Sequence, residues 1–219
     1  MSRPGGLARC ITILGGCGLG LLTTGIPAFC LTTLIVIPTA ETIGAGKYRA
    51  AAQAEGAEFG LGDSTWALKT KFGLGERVEA GVNFDLGSDA DTMLLWKAKY
   101  VFPVQKDNRT AAGVGLDSLG KHSKFAPYAV VTHDLRIAHV HLGLVRAESA
   151  IRFFVGADGK VGERWHAMAD YTNGTGNFAS VGAEYDLDDH WRLRAGVLIP
   201  NDAHNPQVSI EFKYTSLYR

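Results

Sequence analysis

The chain has 219 residues, and its 22 Lys+Arg balance 22 Asp+Glu, so neither a basic excess for nucleic acid nor an acidic tail is present. Its three cysteines, at 10, 17 and 30, leave at most one in the folding part, which excludes a disulfide framework and a cysteine metal site there. Glycine reaches 27 residues and falls within predicted strands as well as turns, a composition suited to a curved, closing sheet.

At the N-terminus, Arg3 and Arg9 precede an apolar stretch from Ile11 to Leu22 and small residues near Ile26-Pro27-Ala28; no charge follows until Glu41. That order reads as an export signal over 1–28, reaching at most to residue 40. The alternative is a retained transmembrane helix, because the uncharged run is long enough to span. Gly15, Gly16, Gly18, Gly20 and Pro27 weigh against a helix of that length. Cleavage after Ala28 would remove two positive and no negative charges, leaving the mature chain at −2. Residues 29–46 then form an N-terminal extension, and 47–219 a single β-barrel domain.

Beyond the extension the pattern has a period of two. Val78, Ala80, Val82, Phe84 and Leu86 are apolar, and Glu79, Gly81, Asn83 and Asp85 lie between them, which makes a strand with one oily and one polar face. The pattern predicts about twelve strands, at 47–55, 65–74, 78–86, 92–102, 110–117, 125–133, 136–145, 150–157, 164–172, 178–187, 191–199 and 207–218. Runs of roughly 9–11 residues match a membrane-crossing strand. Turn chemistry stands between them at Gly87-Ser88-Asp89, Asp158-Gly159, Asn173-Gly174 and Asn201-Asp202. All connections are short, so none is expected to fold in as a constriction.

Two hairpins test the register. If Gly75-Glu76-Arg77 is a loop, Phe72 faces Ala80, Thr70 faces Val82 and Leu68 faces Phe84. If Asp188-Asp189-His190 is a loop, Tyr185 faces Leu193, while Asp186 meets Arg192 and Glu184 meets Arg194. Both put oil against oil, and the second puts charge against countercharge on the other face.

The fold expected is therefore all-β: an antiparallel up-and-down transmembrane β-barrel in contact with outer-membrane lipid. Trp66, Trp165 and Trp191 open strands on the apolar face, and Tyr100, Phe102, Tyr171 and Tyr185 lie near strand ends, as in the aromatic girdles of such barrels. A soluble secreted β-barrel with an oily, ligand-binding interior is the competing arrangement. In the membrane case the lumen-lining candidates are Lys69, Lys71, Glu79, Asp85, Lys97, Lys99, Glu184, Asp186, Arg192, Arg194, Glu211 and Lys213. Acidic and basic strands alternate around the wall, which supports either a salt-bridge lattice closing the lumen or a transverse field acting on ions and small polar solutes.

His139 and His141 share a face, with His133 across the turn, but the pattern fixes no carboxylate or cysteine beside them; no metal or other cofactor is expected. Ser180 and Ser209 lack a nucleophile context, so no catalytic residue and no enzyme activity is expected.

Ile37-Pro38-Thr39-Ala40-Glu41 with Gly44 and Gly46, and Asp170-Tyr171-Thr172-Asn173-Gly174 before a strand and an Asp-Asp turn, resemble small porin-like bacterial outer-membrane barrels. These include the barrel regions of lipoproteins associated with exopolysaccharide secretion. The likeness covers most of the chain after about residue 35. The last strand, Val208 to Tyr218, also resembles the carboxy-terminal assembly signal of outer-membrane barrels, with Arg219 as a departure. Membership would imply a porin-like channel, or else a non-conducting wall component partnering polysaccharide secretion. The lipoprotein signature is missing, since Phe29 precedes Cys30.

Overall fold

The computed structural model describes residues 31, 33–56, 64–86, 92–104, 109–119, 125–147 and 150–216. The predicted export segment 1–28, the predicted turn at 87–89 and the terminal Tyr218 lie outside the described residues. Twelve strands are present: β1 (Tyr48–Gly56), β2 (Thr65–Gly73), β3 (Val78–Leu86), β4 (Thr92–Pro103), β5 (Thr110–Leu119), β6 (Ala126–Asp134), β7 (His139–Ala147), β8 (Ala150–Lys160), β9 (Trp165–Thr172), β10 (Phe178–Asp186), β11 (Trp191–Pro200) and β12 (Gln207–Thr215). Each pairs antiparallel with its sequence neighbour, and β1 pairs with β12 to close the barrel. Closure leaves no free edge, as hydrocarbon demands.

The period-two pattern sets the register. Phe72 lies opposite Ala80, Thr70 opposite Val82 and Leu68 opposite Phe84, while Tyr185 lies opposite Leu193 and Glu184 opposite Arg194. One shift interrupts β4 and β5 between Trp96 and Ala98. Most boundaries shift by one to three residues, two of them for a visible reason. The predicted strand 136–145 begins only at His139, because Leu135 N–H donates to Ala138 O and Arg136 turns the corner at φ 74°. The predicted turn at Asp158-Gly159 is strand instead: β8 runs on to Lys160, since the Asp158 carboxylate is held inside by imidazoles of β7 and β9. The turn falls at 161–164.

Orientation decides the character of the barrel. Phe84, Leu193 and Val197 are 42%, 40% and 39% exposed, whereas Arg194 and Lys213 are 4% and 1% exposed. Oil outside and ions inside is the arrangement hydrocarbon requires, and it does not favour a soluble barrel with an oily interior. A nine-residue strand is roughly 30 Å long and, tilted by about 40°, rises about 23 Å, close to the apolar band of such barrels. Among the described residues, aromatic rings gather most densely at the rim where β1 begins, the proximal rim. There Trp165 sits 4.8 Å from Tyr185, Trp191 4.8 Å from Phe212, and Tyr48 5.9 Å from Tyr214. At the distal rim Phe153 lies 6.1 Å from Tyr171.

Candidate functional site

The interior is not an empty bore. The chain before β1 turns inward at the proximal rim, tied to β2 where Gly46 N–H donates to Gly73 O at 2.8 Å and Gly73 N–H donates to Lys47 O at 2.9 Å. Gly73 has to be glycine here: an added Cβ would lie 1.7 Å from Gly44 O. Leu31 and residues 33–43 then lie in the lumen. Leu34 N–H donates to Ile37 O at 2.9 Å, closing a turn above a single bridge between Thr33 and Pro38. Leu31, Leu34, Ile37, Ala40 and Ile43 are all buried.

The wall meets this segment in two ways. Val130, Phe154 and Met168 point inward and pack with Leu31, Leu34, Ile37 and Ala40 as one apolar cluster. Glycines open the space beside it: a Cβ at Gly156 would come within 2.6 Å of Ile37 and 2.7 Å of Leu34, and one at Gly196 within 2.8 Å of Ile35. Burying Leu31, Leu34 and Ile37 at about 1.5–3 kcal/mol each contributes roughly 5–9 kcal/mol, enough to hold the segment against thermal escape. Second, polar wall groups bind its backbone. Asp170 Oδ2 accepts Ile35 N–H at 2.9 Å and Val36 N–H at 3.1 Å. Thr132 Oγ1 accepts Ala40 N–H at 2.8 Å and Glu79 Oε2 accepts Ile43 N–H at 3.2 Å. Lys99 donates to Thr39 O at 3.2 Å, and Arg194 donates to Leu34 O. These partners stand on β3, β4, β6, β9 and β11, so the segment is gripped from around the wall.

The charged residues named from sequence lie on the inward-facing positions of β2, β3, β4, β10, β11 and β12. Glu184 is a node: Arg194 Nε and Nη2 each lie 3.0 Å from its Oε2, Lys213 donates to the same oxygen, and Arg192 stands 3.8 Å from Oε1. Arg192 also meets Asp186 at 2.8 Å, and Arg194 meets Glu211 at 3.5 Å. Across the barrel, Glu79 takes Lys71 at 3.3 Å and Lys99 at 3.7 Å, while Lys97 pairs with Asp117 at 2.7 Å. Between the inner segment and β1–β4 remains a cavity of about 40 Å³, bordered by Arg49, Lys69, Lys71 and Lys97 with Asn83 and Glu211. That is room for no more than a few water molecules. Asp85 lies two positions beyond Asn83 on the same inward stripe.

The histidines gain the carboxylate that spacing alone did not assign them. His141 Nε2 lies 2.7 Å from Asp158 Oδ1, His166 Nε2 2.8 Å from Oδ2, and His139 Nδ1 3.3 Å from Oδ2. Thr132 Oγ1, which accepts Ala40 N–H, stands 2.9 Å from His141 Nδ1, so its own hydroxyl proton is available to that nitrogen. His139 also approaches Glu41 of the inner segment at 3.8 Å. The three rings converge on the oxygens of one carboxylate, and among the described residues no His, Cys, Asp or Glu group has a metal-holding geometry. His133 turns away from this group and bonds Thr110 Oγ1 at 2.8 Å.

Sequence reasoning expected no constriction, since the strand connections are short. The constriction comes instead from upstream of β1. Its signals were present on the polar stripes themselves: Val130, Phe154, Met168 and Leu198 are apolar where charge is the rule, and Gly113, Gly156, Gly182 and Gly196 stand among them.

Among solved structures, the barrel is similar to the KdgM porin in complex with disordered oligogalacturonate, with a TM-score of 0.59, 13% identity, and coverage of 78% of this chain and 99% of that one. The outer membrane protein Omp33 of Acinetobacter baumannii gives a TM-score of 0.55 at 9% identity, covering 77% of this chain and 97% of that one. At these identities the likeness is one of fold. No protein-family model and no curated protein matches the sequence.

Proposed function

We propose that this chain is a porin-like channel of a bacterial outer membrane, exported through its N-terminal segment and passing ions or small polar solutes. The observation that carries the reading is the pairing of a lipid-compatible exterior with an ionic inner wall, which a purely structural barrel of this width does not need. Twelve strands at about 4.8 Å spacing and about 40° tilt give a backbone diameter on the order of 24 Å, wide enough for a bore between eight-stranded and sixteen-stranded barrels. The twelve charged positions from Lys69 to Lys213 are the lumen-lining set in this reading. The cluster of Arg49, Lys69, Lys71 and Lys97 supports anionic solutes, and the similar KdgM porin is seen with oligogalacturonate, an acidic oligosaccharide.

A second reading is a non-conducting barrel serving as a wall component or as a partner in polysaccharide secretion; the filled lumen favours it. Planar-bilayer recording on the refolded chain separates the two once the lumen is cleared. Stable openings with a preference for anions support the channel. Silence from a barrel that migrates heat-modifiably on gels refutes it.

A further inference from the structure

The wall carries features that a simple aqueous bore would not have. Val130, Phe154 and Met168 project into it on largely polar stripes, and Leu31, Leu34, Ile37 and Ala40 pack against them. Side chains at Gly156 and Gly196 would collide with Leu34, Ile35 and Ile37. Carboxylates and cations that could meet solute instead meet the segment's backbone: Asp170 takes two amides, Glu79 one, and Lys99 and Arg194 reach carbonyls. Wall and segment are complementary in shape, polarity and charge.

The segment also blocks the route. An opening of the order of 10 Å would remain inside a twelve-stranded wall after its side chains are counted, and a folded-back turn of polypeptide fills that width. Among the described residues, cavities beside it measure about 40 Å³ and about 20 Å³. Neither admits a sugar.

We propose that residues 31–43 are an autoinhibitory stopper that holds this pore shut in the intact chain. The inference rests on the channel reading above. It assigns the charged wall two uses: it grips the stopper at rest, and it faces solute when the stopper is out. The segment is joined to β1 through Gly44 and Gly46, at φ 85° and 68°, so its covalent link to β1 lies at the proximal rim. Every ladder bond of the wall, including the β1–β12 closure, is made without it.

The test compares three proteins in planar bilayers: the full chain, the full chain carrying Leu34→Asp with Ile37→Asp, and the chain with residues 31–43 removed. The probe is potassium chloride, and heat-modifiable migration certifies each barrel as folded. Two carboxylates placed in the apolar cluster expel the segment while leaving every wall residue in place. The expected result is at least a tenfold rise in mean conductance for both variants over the intact chain. If the double substitution does not refold, the deletion carries the comparison. Equal, open conductance in all three overturns the stopper and leaves the channel intact. Silence from all three as folded barrels overturns the channel reading as well, because the wall itself would then be closed.

Discussion

Replacing Glu184 by Gln isolates the energetics of the inner charge lattice. The carboxylate's side chain is 2% exposed, and it faces Arg194 at 3.0 Å, Arg192 at 3.8 Å and Lys213 in direct contact. One pair at 3.0 Å is worth about 5–6 kcal/mol of Coulomb energy at an effective dielectric near 20, most of it offset by the desolvation that folding imposed on both ions. Deleting the negative member leaves the desolvation and removes the compensation, so Glu184→Gln should cost about 3–5 kcal/mol. Adding Lys213→Met removes a cation that Glu184 had balanced, and Arg194 still retains Glu211 at 3.5 Å. The double variant should therefore recover more than half of the loss. The assay is urea unfolding of the barrel in lipid or detergent, read by tryptophan fluorescence. A single-variant loss under about 1 kcal/mol, the size of an exposed pair, would refute a buried, mutually dependent lattice.

Three further outcomes are expected. With Cys10, Cys17 and Cys30 changed to Ser, Ile35→Cys with Gly196→Cys should oxidise to an intramolecular disulfide in the folded protein. Ile35 Cγ1 lies 3.3 Å from where a Cβ at 196 would stand, and mass spectrometry showing only free thiols would argue against the segment's place in the lumen. Arg136→Gly should stabilise the barrel by about 1 kcal/mol in urea unfolding, since Arg136 holds a left-handed φ of 74°; a destabilised variant would show the turn depends on the arginine side chain. In the turn after β10, backbone N–H groups of Trp191 and His190 donate to Asp188 and hold its carboxyl below the ordinary value of 3.8. A depressed folded value means the turn's contribution is present above the unfolded pKa and lost as pH falls through the folded one. The Trp191 amide shift in micelles should accordingly titrate below 3.8, and Asp188→Asn should abolish that step; a midpoint above 3.8 contradicts the bonding.

How much was legible depended on how local the information is. At Asp186 and Arg192 the sequence carried both the turn and the pairing, because a period-two pattern beside a short loop permits one register. At Asp158 it misled: an Asp-Gly pair has turn chemistry, and only the nearness of His139, His141 and His166, contributed by β7 and β9, explains why the carboxylate stays in a strand. Glu79 was recognisable as an inward charge on the strand between those of Lys71 and Lys99. Its bond to Ile43 N–H was not, since that residue sits 36 positions away on an element with no alternation.

The amino-acid sequence by itself determined the sheet: twelve amphipathic strands, their neighbours, and an oily face distinct from an ionic one, because side-chain alternation and turn residues act over a few positions. Only the tertiary structure decided that Leu31, Leu34 and Ile37 lie inside rather than trailing outside. That depended on a cavity which exists once β1 meets β12, and whose apolar lining comes from strands more than ninety residues downstream. A segment without the alternation of a strand takes its conformation from the surface it fills, and that surface is made only by closure.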